Sequence, residues 1–275
     1  MIKDVILQLA TSIRNDATIG YAVSVACVFE SHLAGVAFAY EAVPTAMVID
    51  DVPPDVIEEM RRAADDAAET AVAAFEEAAR RAGISAEAHR PSATFAGTAD
   101  LFGRMARRFD LSIIRQAEPD RSTPAPLIIE AALFDSGRPV LIVPYIQKSE
   151  LRLDRVMVCW DGSRSAARAI GDAMPFLQRS GKVEVVVVSE RGKSDDIPGI
   201  DLATHLARHG ITVELKQIVA PDVPVANILL SHAAESAADF LVLGAYGHSR
   251  LREFILGGVT RSILESMTVP VLMSH

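Results

Sequence analysis

The sequence predicts an α/β protein with two tandem halves, each a five-stranded parallel sheet with helices on both faces. Short apolar runs alternate with segments whose apolar residues recur at helical spacing, which is typical of parallel strands joined by crossover helices. This pattern occurs twice along the 275 residues. The composition, 50% hydrophobic and 23% charged, is that of a globular protein rather than a disordered one.

Four pairs of similar segments define the repeat. "KDVILQLATS" from Lys3 resembles "DRVMVCWDGS" from Asp154. The other pairs are "RRAGISAEAHR" (80–90) with "ARHGITVELKQ" (207–217), "DLSIIR" (110–115) with "DFLVLG" (239–244), and "RPVLIVPY" (138–145) with "VPVLMSH" (269–275). The offset is 151 residues for the first pair and 127 to 131 for the others, so the first half carries an insertion of about twenty residues before Gly83. We assign it to "EAVPTAMVIDDVPPDVIEEM", which begins as a Pro-rich loop.

The elements follow in order along both halves. We expect strands near 3–9, 34–40, 85–91, 110–115 and 139–143 in the first half, and near 154–160, 182–189, 211–218, 239–243 and 269–273 in the second. The Ala-rich segment 54–82 predicts a surface helix over the sheet. The domains are expected at 1–147 and 152–275, with a short linker between them.

Ligands of doubly wound sheets bind at the carboxyl ends of the strands, where the strand order reverses. In the second half Asp161 follows the first strand, and Gly244 and Gly247 follow the fourth. Glycines let backbone N–H groups approach a phosphate, and a helix start adds partial positive charge. The expected phosphate donors are the backbone N–H groups of Gly257, Gly258, Val259 and Thr260, the Thr260 hydroxyl, and the side chains of His248 and Arg250. Asp161 is expected to accept hydrogen bonds from a ribose or an adenine edge, although capping of the following helix, in competition with Ser163, is an open alternative.

The spacing Gly244-x2-Gly247-x9-Gly257, followed by a small residue, resembles the nucleotide-binding signature of the universal stress protein (UspA) family. The aspartate after the first strand and the ending "GGVTRSIL…TVPVLMSH" are similar to that family too, and the resemblance covers the chain as two copies. It implies a flavodoxin-like (Rossmann-like) fold and ATP as ligand, with or without Mg²⁺. It further implies that backbone near Val188 and Ser189 holds adenine, with Leu243 at the pocket edge. Dimerisation through the last strand would pair the two halves as an internal pseudo-dimer, and a homodimer is a further expectation.

The chain departs from the family pattern at identifiable positions. Gly258 stands where the family usually has Ser or Thr, which removes a hydroxyl contact to phosphate, and His248 stands where a basic residue is common. In the first half Ala10 replaces the aspartate, and Arg115 and Glu118 replace the first two glycines. We therefore expect a degenerate first domain that binds no nucleotide.

Other kinds of site are not expected. A net charge of −9 opposes nucleic-acid binding, and no P-loop, G-x-G-x-x-G or G-x-S-x-G motif is present. His205 and His209 are four residues apart, but no third ligand is evident, so we expect a solvated helix face and no metal site. Cys27 and Cys159 predict two buried thiols in a reducing compartment, and the chain lacks a signal peptide and a membrane-spanning run, so we expect a cytoplasmic protein that does not bind membranes.

The functional prediction is a stress-response sensor or regulator that binds ATP through its second domain. No catalytic base or nucleophile is evident, so at most slow ATP hydrolysis is expected. One alternative is a structural or interaction stress protein that binds no nucleotide. A second is an enzyme similar to the adenine-nucleotide hydrolases.

Overall fold

The computed structural model describes residues 1–13, 16–41, 53–119, 123–189, 199–220, 222–245 and 258–275. The chain divides into two compact units. The first consists of Met1–Arg115 and Asp120–Arg138, and the second of Gln116–Pro119 and Pro139–His275.

The first unit contains a four-stranded parallel sheet with the order β6-β1-β2-β4 and a separate parallel pair, β3-β5. Its elements are β1 Asp4–Leu9, α1 Ala17–Phe29, β2 His32–Ala37, β3 Ala39–Glu41, α2 Pro54–Ala82, β4 Ala86–His89, β5 Ser92–Thr94, α3 Gly97–Ala106, β6 Leu111–Arg115 and α4 Ala125–Asp135. Strand β6 is buried along its whole length, so both of its faces are covered.

The second unit contains a six-stranded sheet with the order β10-β9-β8-β11-β12-β7. Its elements are β7 Val140–Val143, β8 Arg155–Cys159, α5 Arg164–Leu177, β9 Lys182–Ser189, α6 Ile200–Arg208, β10 Val213–Val219, α7 Val225–Glu235, β11 Phe240–Gly244, α8 Gly258–Ser266 and β12 Val271–Ser274. All pairs are parallel except β12 with β7.

The strand register confirms the repeat. Val5 of β1 lies opposite Leu111 of β6, and Val156 of β8 lies opposite Phe240 of β11. These are the residues that the sequence offsets match with each other. The predicted α/β class with parallel sheets is confirmed.

The structure differs from the expected strands of the first half in two places. The expected strand 139–143 is β7, which lies in the second unit and runs antiparallel to β12. The expected strand 34–40 breaks after Ala37, and the expected strand 85–91 ends at His89; the segments that follow, Ala39–Glu41 and Ser92–Thr94, form the separate pair β3-β5. Both breaks occur side by side, where Ala39 N–H donates to the Pro91 carbonyl, so the two strands leave the main sheet together.

The predicted surface helix 54–82 is α2, which has the expected bounds. Pro54 opens it, and Gly83, with φ 68°, ends it in the left-handed conformation that suits glycine. Its buried face includes Phe75, whose ring an added Cβ at Gly35 of β2 would approach to 2.8 Å. Most of the predicted insertion, 42–52, lies outside the described residues. Among the helices of the described ranges, none combines the length and apolar character needed to cross a bilayer.

Candidate functional site

In the sheet of the second unit, the order in which the chain adds strands reverses between β8 and β11. From β8 the chain proceeds outward through β9 and β10, and it then returns to the other side of β8 to form β11 and β12. Asp161 follows β8 by two residues, and Gly244 is the last residue of β11. Leu243 lies opposite Cys159 in the register. Three predicted site residues therefore lie at the reversal point, where doubly wound sheets bind ligands.

Asp161 shapes the loop between β8 and α5. Its Oδ1 accepts a hydrogen bond from the Ser163 backbone N–H at 2.9 Å, and Gly162 between them has φ 74°. Ser163 is the N-cap of α5, because its Oγ accepts from the Ala166 backbone N–H at 3.1 Å. Of the two capping candidates, the structure selects Ser163, and Asp161 is exposed at the carboxyl edge of the sheet.

Gly244 has a packing role that sequence reasoning missed. An added Cβ would lie 2.3 Å from the Ala166 backbone nitrogen and 2.6 Å from the Ser165 carbonyl carbon. The first turn of α5 thus contacts the end of β11 through backbone alone, which only glycine permits. The small residues of "SRSAARA" are the sequence signal for this close approach.

Helix α8 begins at Gly258, one of the two predicted start positions. Gly258 is exposed, and an added Cβ there would meet no described atom within 4 Å. Thr260 is 4% exposed, and the contact of its hydroxyl with phosphate stays a prediction. As at any helix N-terminus, the first-turn N–H groups and the helix dipole of α8 favour an anion. Gly247, His248, Arg250 and Gly257 lie outside the described residues.

Comparison with known proteins identifies the second half. The model of the universal stress protein family matches residues 152–275, which carry the whole candidate site. These residues are therefore similar to the universal stress protein family. A curated relative, universal stress protein Slr1230 from Synechocystis, is 25% identical over 151 residues; the match covers 52% of this chain and 49% of the relative, so the chain matches about half of that protein's length.

Solved structures share the fold of the whole chain. A universal stress protein from Archaeoglobus fulgidus DSM 4304 superimposes with a TM-score of 0.72 at 21% identity, over 98% of this chain and 97% of the other. A Pseudomonas aeruginosa PAO1 protein of unknown function gives 0.61 at 15% identity, over 99% and 92%. At such identities the similarity shows the fold alone.

The expected adenine contacts of the universal stress protein domain lie at the end of β9, on the other side of β8 from Gly244. Val188 and Ser189 are half-buried, and the Ser189 carbonyl accepts from the Ala220 N–H at 3.3 Å. Trp160 is half-buried, and its Cδ1 would lie 3.7 Å from an added Cβ at Gly199, next to the start of α6. Its ring therefore lies close to the start of α6.

In the first unit, the position that matches Gly244 is filled by a buried ion pair. The Arg115 guanidinium lies 3.6 Å from the Asp16 carboxylate, and their side chains are 9% and 2% exposed. Asp16 also caps α1, because its Oδ1 accepts from the Thr18 N–H at 3.0 Å. Sequence reasoning missed Asp16, although an arginine ending the apolar strand "LSIIR" signals a buried carboxylate partner. The pair gives a physical reason for the prediction that this half binds no nucleotide.

The one cysteine near the site is unsuited to nucleophilic chemistry. Burial, together with the nearby charge of Asp161, raises the pKa of the Cys159 thiol to about 12.

The described residues contain no group of three His, Cys, Asp or Glu side chains that could hold a metal ion. Cys27, expected to be buried, is exposed.

Proposed function

We propose that this chain is a universal stress protein that binds ATP through its second half and regulates a stress response without strong catalysis. The observation that carries the proposal is the position of Asp161 beside the point where the strand order reverses between β8 and β11, with β11 followed along the chain by α8. A carboxylate and a helix N-terminus at one sheet edge are suited to the two ends of a nucleotide.

Different residues of the described structure would contact the phosphates, the ribose and the adenine of the nucleotide. The first-turn N–H groups of α8, beginning at Gly258, would donate to phosphate oxygens. Asp161 would accept from a ribose hydroxyl or an adenine amino group. The backbone at Val188 and Ser189 would contact the adenine edge. Mg²⁺, when bound with ATP, would neutralise phosphate charge.

Weak or absent catalysis is part of the proposal. Cys159 stays a neutral thiol at physiological pH because of its raised pKa. Cys159 is also buried, so its sulfur is not open to a substrate in the described structure. Nucleotide binding would therefore change conformation or partner choice rather than supply a reaction.

Isothermal titration of the full chain with Mg-ATP tests the proposal. We expect one binding event that Asp161→Ala weakens by about tenfold, the loss of roughly one hydrogen bond to a charged group. The matched control is Asp154→Ala, which removes the same charge just before the opposite, amino end of β8. Equal affinity of the wild type and Asp161→Ala, or equal weakening by both substitutions, would contradict the proposed site.

A second candidate function is protein binding without a nucleotide. Two residues favour this candidate. The close contact with α5 is enough to explain the glycine at position 244, and Gly258 lacks the side-chain hydroxyl that the family pattern usually has at this position. Absence of ATP binding by the wild type at millimolar concentration would favour this candidate.

We also propose that the last strands of the two repeats form the internal pair that the family resemblance implies. The antiparallel register of β7 with β12, such as Leu141 opposite Leu272, supports it. Gln116 supports the same arrangement: its Nε2 donates to the Leu264 carbonyl at 2.8 Å, and its Oε1 accepts from the Tyr145 N–H at 3.2 Å. Light scattering across a concentration series would distinguish a monomeric chain from the further expected homodimer.

A further inference from the structure

Helix α6 of the second unit presents two histidines that the proposed nucleotide site does not use. His205 lies within α6 and His209 is its C-cap, four residues later, so both side chains lie on one face of the helix. Both are exposed. Their ring centroids are 4.8 Å apart, and the ring planes make an angle of 64°.

The distance between the two ring centroids is compatible with two imidazoles that bind one metal ion. An imidazole nitrogen binds Zn²⁺ at about 2.0–2.1 Å, which puts the ring centre roughly 3.2 Å from the ion. Two rings that bind at an angle of roughly 90° to 110° then have centres about 4.5–5.2 Å apart. The observed separation falls within that interval without any movement of the helix. The same four-residue spacing supplies two zinc ligands in the H-E-x-x-H helix.

We propose that His205 and His209 form a bidentate surface site for a divalent transition metal, with water in the remaining coordination positions. Imidazole nitrogens suit Zn²⁺, Ni²⁺ and Cu²⁺, whereas Mg²⁺ requires oxygen ligands. The acidic chain, of net charge −9, attracts cations, and Asp201 adds a carboxylate one turn before His205. Arg208, three residues after His205, opposes a cation, so the affinity is moderate.

A second group of possible metal ligands lies in the first unit. Glu87 Oε1 is 3.1 Å from His89 Nε2 and 3.8 Å from His32 Nε2. These three side chains do not form a three-ligand metal site, because the described residues contain no group of three His, Cys, Asp or Glu side chains that could hold a metal ion. A histidine of this second group, His89, is the control position for the titration.

The test is calorimetric titration of the untagged full chain with Zn²⁺, repeated with Cu²⁺. We expect each of His205→Ala and His209→Ala to weaken Zn²⁺ binding by about tenfold or more, because a single imidazole cannot chelate. His89→Ala should leave the affinity unchanged, and Cu²⁺ should bind more tightly than Zn²⁺. Thermal unfolding of each variant checks that it is folded.

Three results would overturn the proposal. One is the absence of Zn²⁺ binding by the wild type. Another is wild-type affinity in both α6 variants. The third is loss of binding in His89→Ala instead, which would assign the metal to the first unit.

Discussion

At the scale of single residues, Gly258 is the position where the proposed phosphate binding can be tested most directly. Its position at the start of α8 keeps the backbone donor and removes the hydroxyl that the family pattern usually supplies. Space is available there, because an added Cβ meets no described atom within 4 Å. The position is therefore open to substitution, and the missing hydroxyl can be restored.

Gly258→Ser is expected to tighten Mg-ATP binding by about tenfold, the contribution of roughly one charge-assisted hydrogen bond. Gly258→Ala is the matched control, since it adds the same Cβ without a donor and should leave the affinity near that of the wild type. Both are measured by calorimetric titration. A serine variant no tighter than the alanine variant would show that phosphate does not reach α8.

The Arg115–Asp16 pair is the residue-scale feature of the first unit. Arg115→Met should lower the free energy of unfolding by about 3–5 kcal/mol, because it leaves the buried Asp16 carboxylate without its counter-charge. Adding Asp16→Asn should restore part of that loss, since asparagine caps a helix as well as aspartate does. Urea unfolding of the two single variants and the double variant measures the coupling. Strictly additive losses would mean that the two side chains do not interact energetically.

At the scale of elements, the sequence predicted the positions of most strands along the chain well and the contacts between elements poorly. Apolar runs such as "VILQL" and "LSIIR" are buried on both faces, so periodicity alone identifies β1 and β6. The partner of β7 depends on pairing between strands distant in sequence, and a run such as "VLIV" contains no signal for it.

The candidate site shows the same division. The glycines and Asp161 are recognisable from their spacing and from strand ends. The need for glycine at position 244 cannot be recognised from the sequence, because it depends on how closely α5 approaches β11. The burial of Thr260 likewise depends on how α8 packs in the folded unit.

Gly244→Ala tests the contact between β11 and α5. The added methyl group would lie well within contact distance of the Ala166 backbone nitrogen, so the first turn of α5 must move. We expect the free energy of unfolding to fall by about 1–3 kcal/mol. The control is Gly171→Ala within α5, where nothing lies within 4 Å and alanine favours the helix by roughly 1 kcal/mol. Denaturant unfolding in which both substitutions are neutral would contradict this packing.

At the scale of the whole molecule, the two thiols report on unfolding. At pH 8 the exposed Cys27 should react with a disulfide reagent such as DTNB, while Cys159, with its pKa raised to about 12 by burial, stays protonated and enclosed. The unfolded chain has an ordinary thiol pKa near 8.5, so Cys159 should react only after unfolding. Absorbance should show one rapid equivalent in native protein and two in denaturant. Two rapid equivalents in native protein would contradict the burial of Cys159.

In the proposed function, this repeated α/β chain binds a nucleotide through its second half, and the matching position of its first half holds a buried ion pair. Thermal unfolding with and without Mg-ATP tests that claim most directly. A ligand at a hundred times its dissociation constant stabilises the folded state by about 2.7 kcal/mol, so we expect the Tm to rise by several degrees. The rise should be smaller in Asp161→Ala and unchanged in Asp154→Ala. An unchanged Tm for the wild type at millimolar Mg-ATP would contradict the account.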